Sequence, residues 1–397
     1  MKTRQLWLNV LLILLPTVFG LELLCWISVL PRMARGEADF RQLYVSGYMV
    51  RTGAASRLYD YAYQLQLQNA RVAPAQSALP YIRPPYQALL FAPLSLLSFR
   101  AAYFLWLAVN AALVALSCYL LRRRFAALSA IWKPLPFAVL CSFFPVSLAL
   151  LGGQDSIELL ALLSAALVAL EHNHDALAGC LLALGLFKFQ IVLPIAFLFV
   201  LWKRWKFAQG FFSTALLLAG ISLALIGRPG IQSFYRTLAH IHIPVHYRIM
   251  TNLHALLVGI AGDSRMVTFA TLALSAALSL AVARWSRAQS GPDALMIAIA
   301  TAALVSYYLY GHDACILVLP LLFAMNAGVN RPLDGWAGLL MFAAPLVCIF
   351  ALDYSFWATL PMALLLFAAA TSTQFAPANL LPAEAGGSEG RVAHPLA

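Results

Sequence analysis

An all-α chain that crosses a membrane many times is the expectation these 397 residues raise, on three observations. Hydrophobic side chains make up 62% of the sequence and charged ones 10%, against roughly 25% charged in ordinary soluble domains. Apolar runs of helical length recur along the chain, with polar residues gathered between them. The cations sit singly or at the ends of those runs and build no basic face, so the net charge of +11 points to membrane topology and phosphate contact, with no nucleic acid as partner.

The first run, Leu6–Leu30, follows Lys2 and Arg4, contains Glu22 and lacks a clear small-x-small cleavage site. It is too long for a signal-peptide core and reads as an uncleaved first span. Further runs follow at Arg100–Leu121, Leu135–Leu151, Ser156–Leu170, Ala176–Phe187, Ile191–Trp202, Phe207–Ile226, Met266–Ala283, Ala294–Tyr310, Ala314–Met325, Trp336–Leu352 and Phe356–Thr371. That makes about twelve spans, several shorter than the roughly 20 residues a perpendicular helix needs, so some are expected to be re-entrant or packed inside the bundle. One integral membrane domain then fills residues 1–374. Within it, residues 31–99 form a long outer loop with interfacial helices, and 375–397, rich in Ala, Pro, Gly and Glu, form a disordered cytoplasmic tail.

Orientation follows from the basic residues. Lys2, Lys133, Lys203 and Lys206 fall on one side with Arg122, Arg123, Arg124, Arg204, Arg284 and Arg287; by the positive-inside rule that side is cytoplasmic. Asp39, Gly152–Asp155, Arg228–Arg265 and Gly311–Asp313 then face out. The six cysteines (Cys25, Cys118, Cys141, Cys180, Cys315, Cys348) lie in or beside apolar runs without CxxC spacing, and read as small buried hydrophobes with no disulfide or metal role.

With only 15 acidic residues, each carboxylate near the hydrocarbon needs a partner or a purpose. Asp39, just past the first span, is either a general base at the membrane surface or an interface carboxylate paired with Arg35 or Arg41. In Gly152-Gly153-Gln154-Asp155-Ser156, Asp155 or Ser156 can cap the next helix, or Gln154 can bind a sugar or order a site. Lys188 lies between two short apolar pieces; it either snorkels or, where two half-helices break, reaches a lipid phosphate. The segment holding Arg236, His240, His242, His246, Tyr247, Arg248 and His254 suits a phosphate or phosphate-sugar pocket. Zinc is rejected because Pro244 interrupts the histidines and no HExxH is present. Tyr310, His312 and Asp313 either orient a base or a sugar, or form an interface belt with a polar cap.

The order of these features resembles the polytopic GT-C-type glycosyltransferases, and within them glycosyltransferase family 87, the polyprenyl-phosphate-mannose-dependent mannosyltransferases. The resemblance rests on Ala38-Asp39-Phe40, Leu58-Tyr59-Asp60, Arg83-Pro84-Pro85 leading to Leu89–Leu94, Gly153-Gln154, Ala178-Gly179 through Lys188 to Trp205, and Ser306–His312. It implies a GT-C-like fold and metal-independent, cofactor-free, inverting transfer of a hexosyl residue, by expectation mannosyl. The donor would be a polyprenyl-phosphate-sugar and the acceptor a lipid or glycan, at the outer face of the bacterial cytoplasmic membrane. It implies Asp39 as general base assisted by His312, donor phosphate held by Lys188, Arg236 and Arg248, and sugar or acceptor contacts from Tyr59, Asp60, Gln154, Asp155 and Tyr310. Arg83 stands where the family pattern calls for an aromatic, Asp155 where it calls for a neutral polar residue, and Glu37 adds a second carboxylate near the first position. The rival class is a transporter or flippase for a lipid-linked sugar, which more often shows matching halves and charges at mid-membrane; a non-catalytic sugar-lipid-binding subunit is a third.

Overall fold

The computed structural model describes residues 2–240, 247, 250–286, 290–346, 361–364 and 366. Among the described residues the fold is helical, with a single isolated bridge between Met250 and Tyr310 in place of any strand. Nearly every apolar run of the sequence became a helix. The last, Phe356–Thr371, lies almost wholly outside the described residues, as does the tail from 375.

Helices α1 (Lys2–Arg32), α2 (Phe40–Arg51), α3 (Tyr61–Arg71) and α4 (Pro85–Phe91) lead into α5 (Phe99–Leu121). Then come α6 (Ala126–Ile131), α7 (Leu135–Cys141), α8 (Phe144–Gly152), α9 (Ser156–Glu171), α10 (Asp175–Leu184), α11 (Phe189–Leu201) and α12 (Trp205–His240). The chain continues with α13 (Leu253–Ala261), α14 (Arg265–Trp285), α15 (Gly291–Val305), α16 (Val318–Gly328) and α17 (Pro332–Ala343). Local chemistry sets many of the starts: Ser98, Asn252, Ser264 and Ser290 cap α5, α13, α14 and α15 through their side chains, while Pro85 and Pro145 occupy first-turn positions where no amide is needed.

The count of crossings differs from the sequence expectation of about twelve. Among the described residues, five segments are long and apolar enough to cross a membrane, or six if α7 and α8, bent by 54°, make one span. They hold α1, α5, α10 with α11, α12 and α14, and on α1, α12 and α14 the large apolar side chains Ile13, Leu24, Leu216, Leu217, Met266 and Phe269 lie more than half exposed. Such surfaces belong against lipid. The other apolar runs, α9, α15 and α16, are short and packed inside, as a hydrophobic helix with its whole surface buried must be.

One of the five segments turns back on itself. Asp175–Leu201 holds 27 residues, roughly 40 Å as a straight helix, yet Arg204 just beyond it reaches to 3.9 Å from Asp175 at its start. The reversal falls at the tight turn Gly185–Lys188, so α10 and α11 are half-length arms of a hairpin. Helices α8 and α9 form a second such hairpin with Gly153–Asp155 at its tip, and α15 and α16 a third with His312 and Asp313 at its tip. The tips share one end of the bundle; Arg124, Glu171, Asp175, Arg204 and Ser290 gather at the other.

Residues 31–99, expected as a long outer loop with interfacial helices, hold the short helices α2, α3 and α4. A break at Gly36 (φ 120°) turns the chain from α1 into α2, and α2, α4 and the start of α5 close a second hydrophobic core around Phe40, Tyr44, Phe91, Phe99, Tyr103 and Trp106. This lid of short helices covers the hairpin tips. Elsewhere helices meet backbone to backbone: a Cβ built on Gly179 of α10 would lie 2.0 Å from the Phe207 carbonyl oxygen, and one on Gly210 of α12 would lie 2.0 Å from that of Ala176. Gly179→Val must therefore push α10 off α12. It is expected to cost about 1–3 kcal/mol and to lower the melting temperature of the detergent-purified protein; an unchanged melting curve would contradict this packing.

Candidate active site

Asp155 ends the α8–α9 turn with its side chain fully buried. It stands at the N-cap position of α9 without making the cap hydrogen bond, because its oxygens are taken by stronger donors. Arg83 grips both of them, through Nε to Oδ2 and through Nη2 to Oδ1 at 3.1 Å. Gln87 Nε2 donates to Oδ2 at 2.7 Å, and Lys188 Nζ lies 2.9 Å from Oδ1. Burial alone would push the Asp155 carboxyl up; the charges of Arg83 and Lys188, with the hydrogen bonds of Arg83 and Gln87, overcome it and hold the group well below the usual carboxylate range.

Lys188 links this pair to the third hairpin. Its ammonium donates to Asp313 Oδ1 at 2.7 Å, and Ser156 Oγ donates to the same oxygen at 2.7 Å. Two cations and two carboxylates thus balance one another in a place almost without water, the condition under which buried charge is tolerated. His312 Nε2 lies 3.6 Å from Asp313 Oδ1, and its ring stacks on Tyr310 at 5.9 Å. Burial lowers the pKa of the His312 imidazole, so at neutral pH it is an uncharged donor and acceptor.

Asp39 stands at the margin of this quartet, half-buried. Gln154 Nε2 donates to its Oδ2 at 2.5 Å, while Gln154 Oε1 accepts from Arg83 Nη2 at 3.4 Å. Arg83 Nη1 also donates to Gln42 Oε1 at 2.8 Å. The expected partner Arg41 points elsewhere, to the carbonyls of Gly36 and Ala73. The close approach of α2 to the turn requires glycine at 153: its φ is 61°, and a Cβ there would meet Phe40 Cβ at 2.8 Å.

The site is recessed. From α5, Tyr103 bonds the carbonyl of Leu151, Trp106 that of Gly153 and Asn110 that of Gln154. These residues lie roughly 6–16 Å along the helix from its start at 1.5 Å per residue. The charges lie below the level where α5 begins, because the hairpin helices stop short of it.

Of the expected site residues, Asp39, Gln154, Asp155, Lys188 and His312 converge in one network, with Tyr310 against His312. Tyr59 supports it from behind, its hydroxyl donating to the Arg83 carbonyl at 2.8 Å and its ring packed on Phe234 at 4.8 Å. Asp60 does not join: it caps α3 at Tyr63 and pairs with Arg57 at 2.7 Å. Arg236 is exposed on the last turns of α12. Arg248, with His242 and His246, lies outside the described residues. Lys188 is only 3% exposed, and its ammonium contacts Asp155 and Asp313. Arg83 and Gln87 were missing from the expected set, and so was the role of Asp313 as partner of Lys188; the signal for Arg83 was a cation before two prolines in a chain poor in charge. Two of the three departures from the family pattern, Arg83 and Asp155, are partners of each other. Among the described residues no group of three or more His, Cys, Asp or Glu is arranged to hold a metal ion, and Cys25, Cys118, Cys141, Cys180 and Cys315 are free.

Fold and site together define a helical membrane protein that carries a charge-balanced polar cluster beneath a lid. Residues 81–309 match glycosyltransferase family 87. That match covers more than half of the sequence, so the chain belongs to the family and is a glycosyltransferase; Asp39, His312 and Asp313 lie outside the matched range. No curated protein and no solved structure matches the chain.

Removing the Asp155 charge leaves Arg83 and Lys188 short of a counterion in a dry place. Asp155→Asn is expected to cost about 3–5 kcal/mol at neutral pH, read as a lower melting temperature in detergent. Because the folded carboxyl is held below its ordinary value of 3.8, the stabilisation is complete above that pH and is lost as pH falls through the lower folded value. The gap between wild type and variant should therefore close in acid; equal stability at pH 7 would refute the assignment.

Proposed function

We propose that the protein transfers a hexosyl residue, by preference mannosyl, from a polyprenyl-phosphate donor to a lipid or glycan acceptor at the outer face of the cytoplasmic membrane, on a GT-C-like scaffold. The observation that carries this reading is the state of Asp39. One oxygen is held by Gln154, and the other accepts no hydrogen bond among the described residues. A fixed carboxylate with one open oxygen, at the margin of a buried cluster of charges, is suited to take a proton from an acceptor hydroxyl.

In this reading the acceptor oxygen attacks the anomeric carbon as its proton passes to Asp39. The bond from that carbon to the phosphate oxygen breaks, and the lipid phosphate departs with the electron pair. A single displacement of this kind inverts the anomeric centre. The leaving phosphate gains charge, and Lys188 is the nearest buried cation with a donor to offer. An ammonium has three N–H groups, of which Asp155 and Asp313 engage two. Neutral His312 with Tyr310 borders the sugar, and Arg236 and Arg248 join Lys188 in binding the donor phosphate. The basic residues at the far end of the bundle support an orientation with that end in the cytoplasm.

A carrier of lipid-linked sugar also fits a recessed charged site, and family membership weighs against it. Incubation of the purified protein with labelled polyprenyl-phosphate mannose and candidate acceptors separates the two, since only a transferase makes a new glycosidic bond visible by mass. Asp39→Asn should reduce product formation by at least the roughly 10²–10⁴-fold that a general base contributes, with the folded protein yield unchanged. Substantial retained transfer would remove Asp39 from the role of base.

A further inference from the structure

We infer that Arg83 and Gln154 form a positioning relay that aims the Asp39 carboxylate, with Asp155 as its anchor. The inference rests on Asp39 being the base and adds what holds that base in register. It starts from the amide of Gln154, which offers an oxygen that only accepts and a nitrogen that only donates. Its two neighbours are equally one-sided: the Arg83 guanidinium can only donate, and the ionised Asp39 carboxylate can only accept. One orientation of the amide satisfies both, with Oε1 towards Arg83 Nη2 at 3.4 Å and Nε2 towards Asp39 Oδ2 at 2.5 Å. The reversed amide would set oxygen against oxygen and N–H against N–H. Arg83 therefore decides which way Gln154 faces, and Gln154 in turn decides which oxygen of Asp39 is occupied.

Arg83 is itself immobilised on every side. Its fork is closed on Asp155, its Nη1 is bonded to Gln42, its carbonyl receives the Tyr59 hydroxyl, and the Tyr81 hydroxyl donates to the Pro84 carbonyl beside it. Gln154 is held through its own backbone by Asn110 at 3.3 Å. Asp39, by contrast, has no other side-chain bond among the described residues. Its side chain depends on Gln154 for direction, and positioning to a fraction of an ångström is what a proton-transfer geometry requires.

The test is steady-state kinetics on the full-length protein in detergent with the polyprenyl-phosphate donor, with melting temperature measured in parallel. Gln154→Leu removes the N–H and keeps the bulk; it is expected to lower kcat roughly 10- to 100-fold, part of what a general base contributes, while the donor KM stays within about twofold. Gln154→Glu has the same shape but no N–H for Asp39 when ionised, so it should fail to rescue, whereas a role in packing alone would tolerate it. Arg83→Lys keeps the charge and loses the fork, and should lower kcat with no further loss when combined with Gln154→Leu. Wild-type kcat in Gln154→Leu, in a preparation where Asp39→Asn is inactive, would overturn the relay and leave the base in place. Full activity in Asp39→Asn would overturn the base and the relay together.

Discussion

A carboxylate with no contact with water must be neutralised where it sits, and Asp155 imposes that demand on this fold. The loss of hydration for such an ion is worth several kcal/mol even after relaxation, so the chain has to bring cations to it. Arg83 arrives from the lid, Lys188 from the tip of one hairpin, and Asp313 from the tip of another to balance Lys188. Helices far apart in sequence are in this way fastened at a single point. The apolar packing around them is extensive but has no direction; the ion quartet supplies the register.

The same constraint explains why short helices were kept inside the bundle. Arms of 10 and 13 residues in α10 and α11 cannot cross a bilayer that calls for about 20, but they can carry a polar tip to an inner level and return. Backbone that is not helical is tolerated at membrane depth only where protein surrounds it, and the lid from α2 to α4 with the wall of α5 provides that enclosure. Asp39 enters from the lid, as Arg83 does, while Lys188, Asp155 and Asp313 come from the hairpin tips. Gln154 bonds the proposed base directly to the α8–α9 tip.

Much of this was legible in the chain, and the parts that were not have physical causes. Apolar periodicity located the long helices, since burial and hydrogen bonding leave a lipid-facing chain few alternatives, and missed the short α2, α4, α6 and α13. Hydropathy does not tell a helix in lipid from one in a protein core, so the expectation that some of the twelve runs pack inside the bundle could not say that α9, α15 and α16 are among them. The segment from 31 to 99 read as a long loop with interfacial helices; that these helices close a core against α5 depends on contacts distant in sequence. Scarcity of charge picked out Asp39, Asp155, Lys188 and His312 correctly as residues of one place. Scarcity alone does not reveal pairing: nothing in the sequence ties Arg83 to Asp155, or Lys188 to Asp155 and Asp313.

A single fixed carboxylate acting as base, with the lipid phosphate leaving in the same step, leaves a stereochemical record in the product. The most direct measurement is the anomeric configuration of the newly formed linkage, determined by nuclear magnetic resonance on product made from a polyprenyl-phosphate mannose of known configuration. Inversion is the outcome this account predicts. Retention would require two displacements and a nucleophile on the enzyme, and would contradict the role given to Asp39 and the network that aims it.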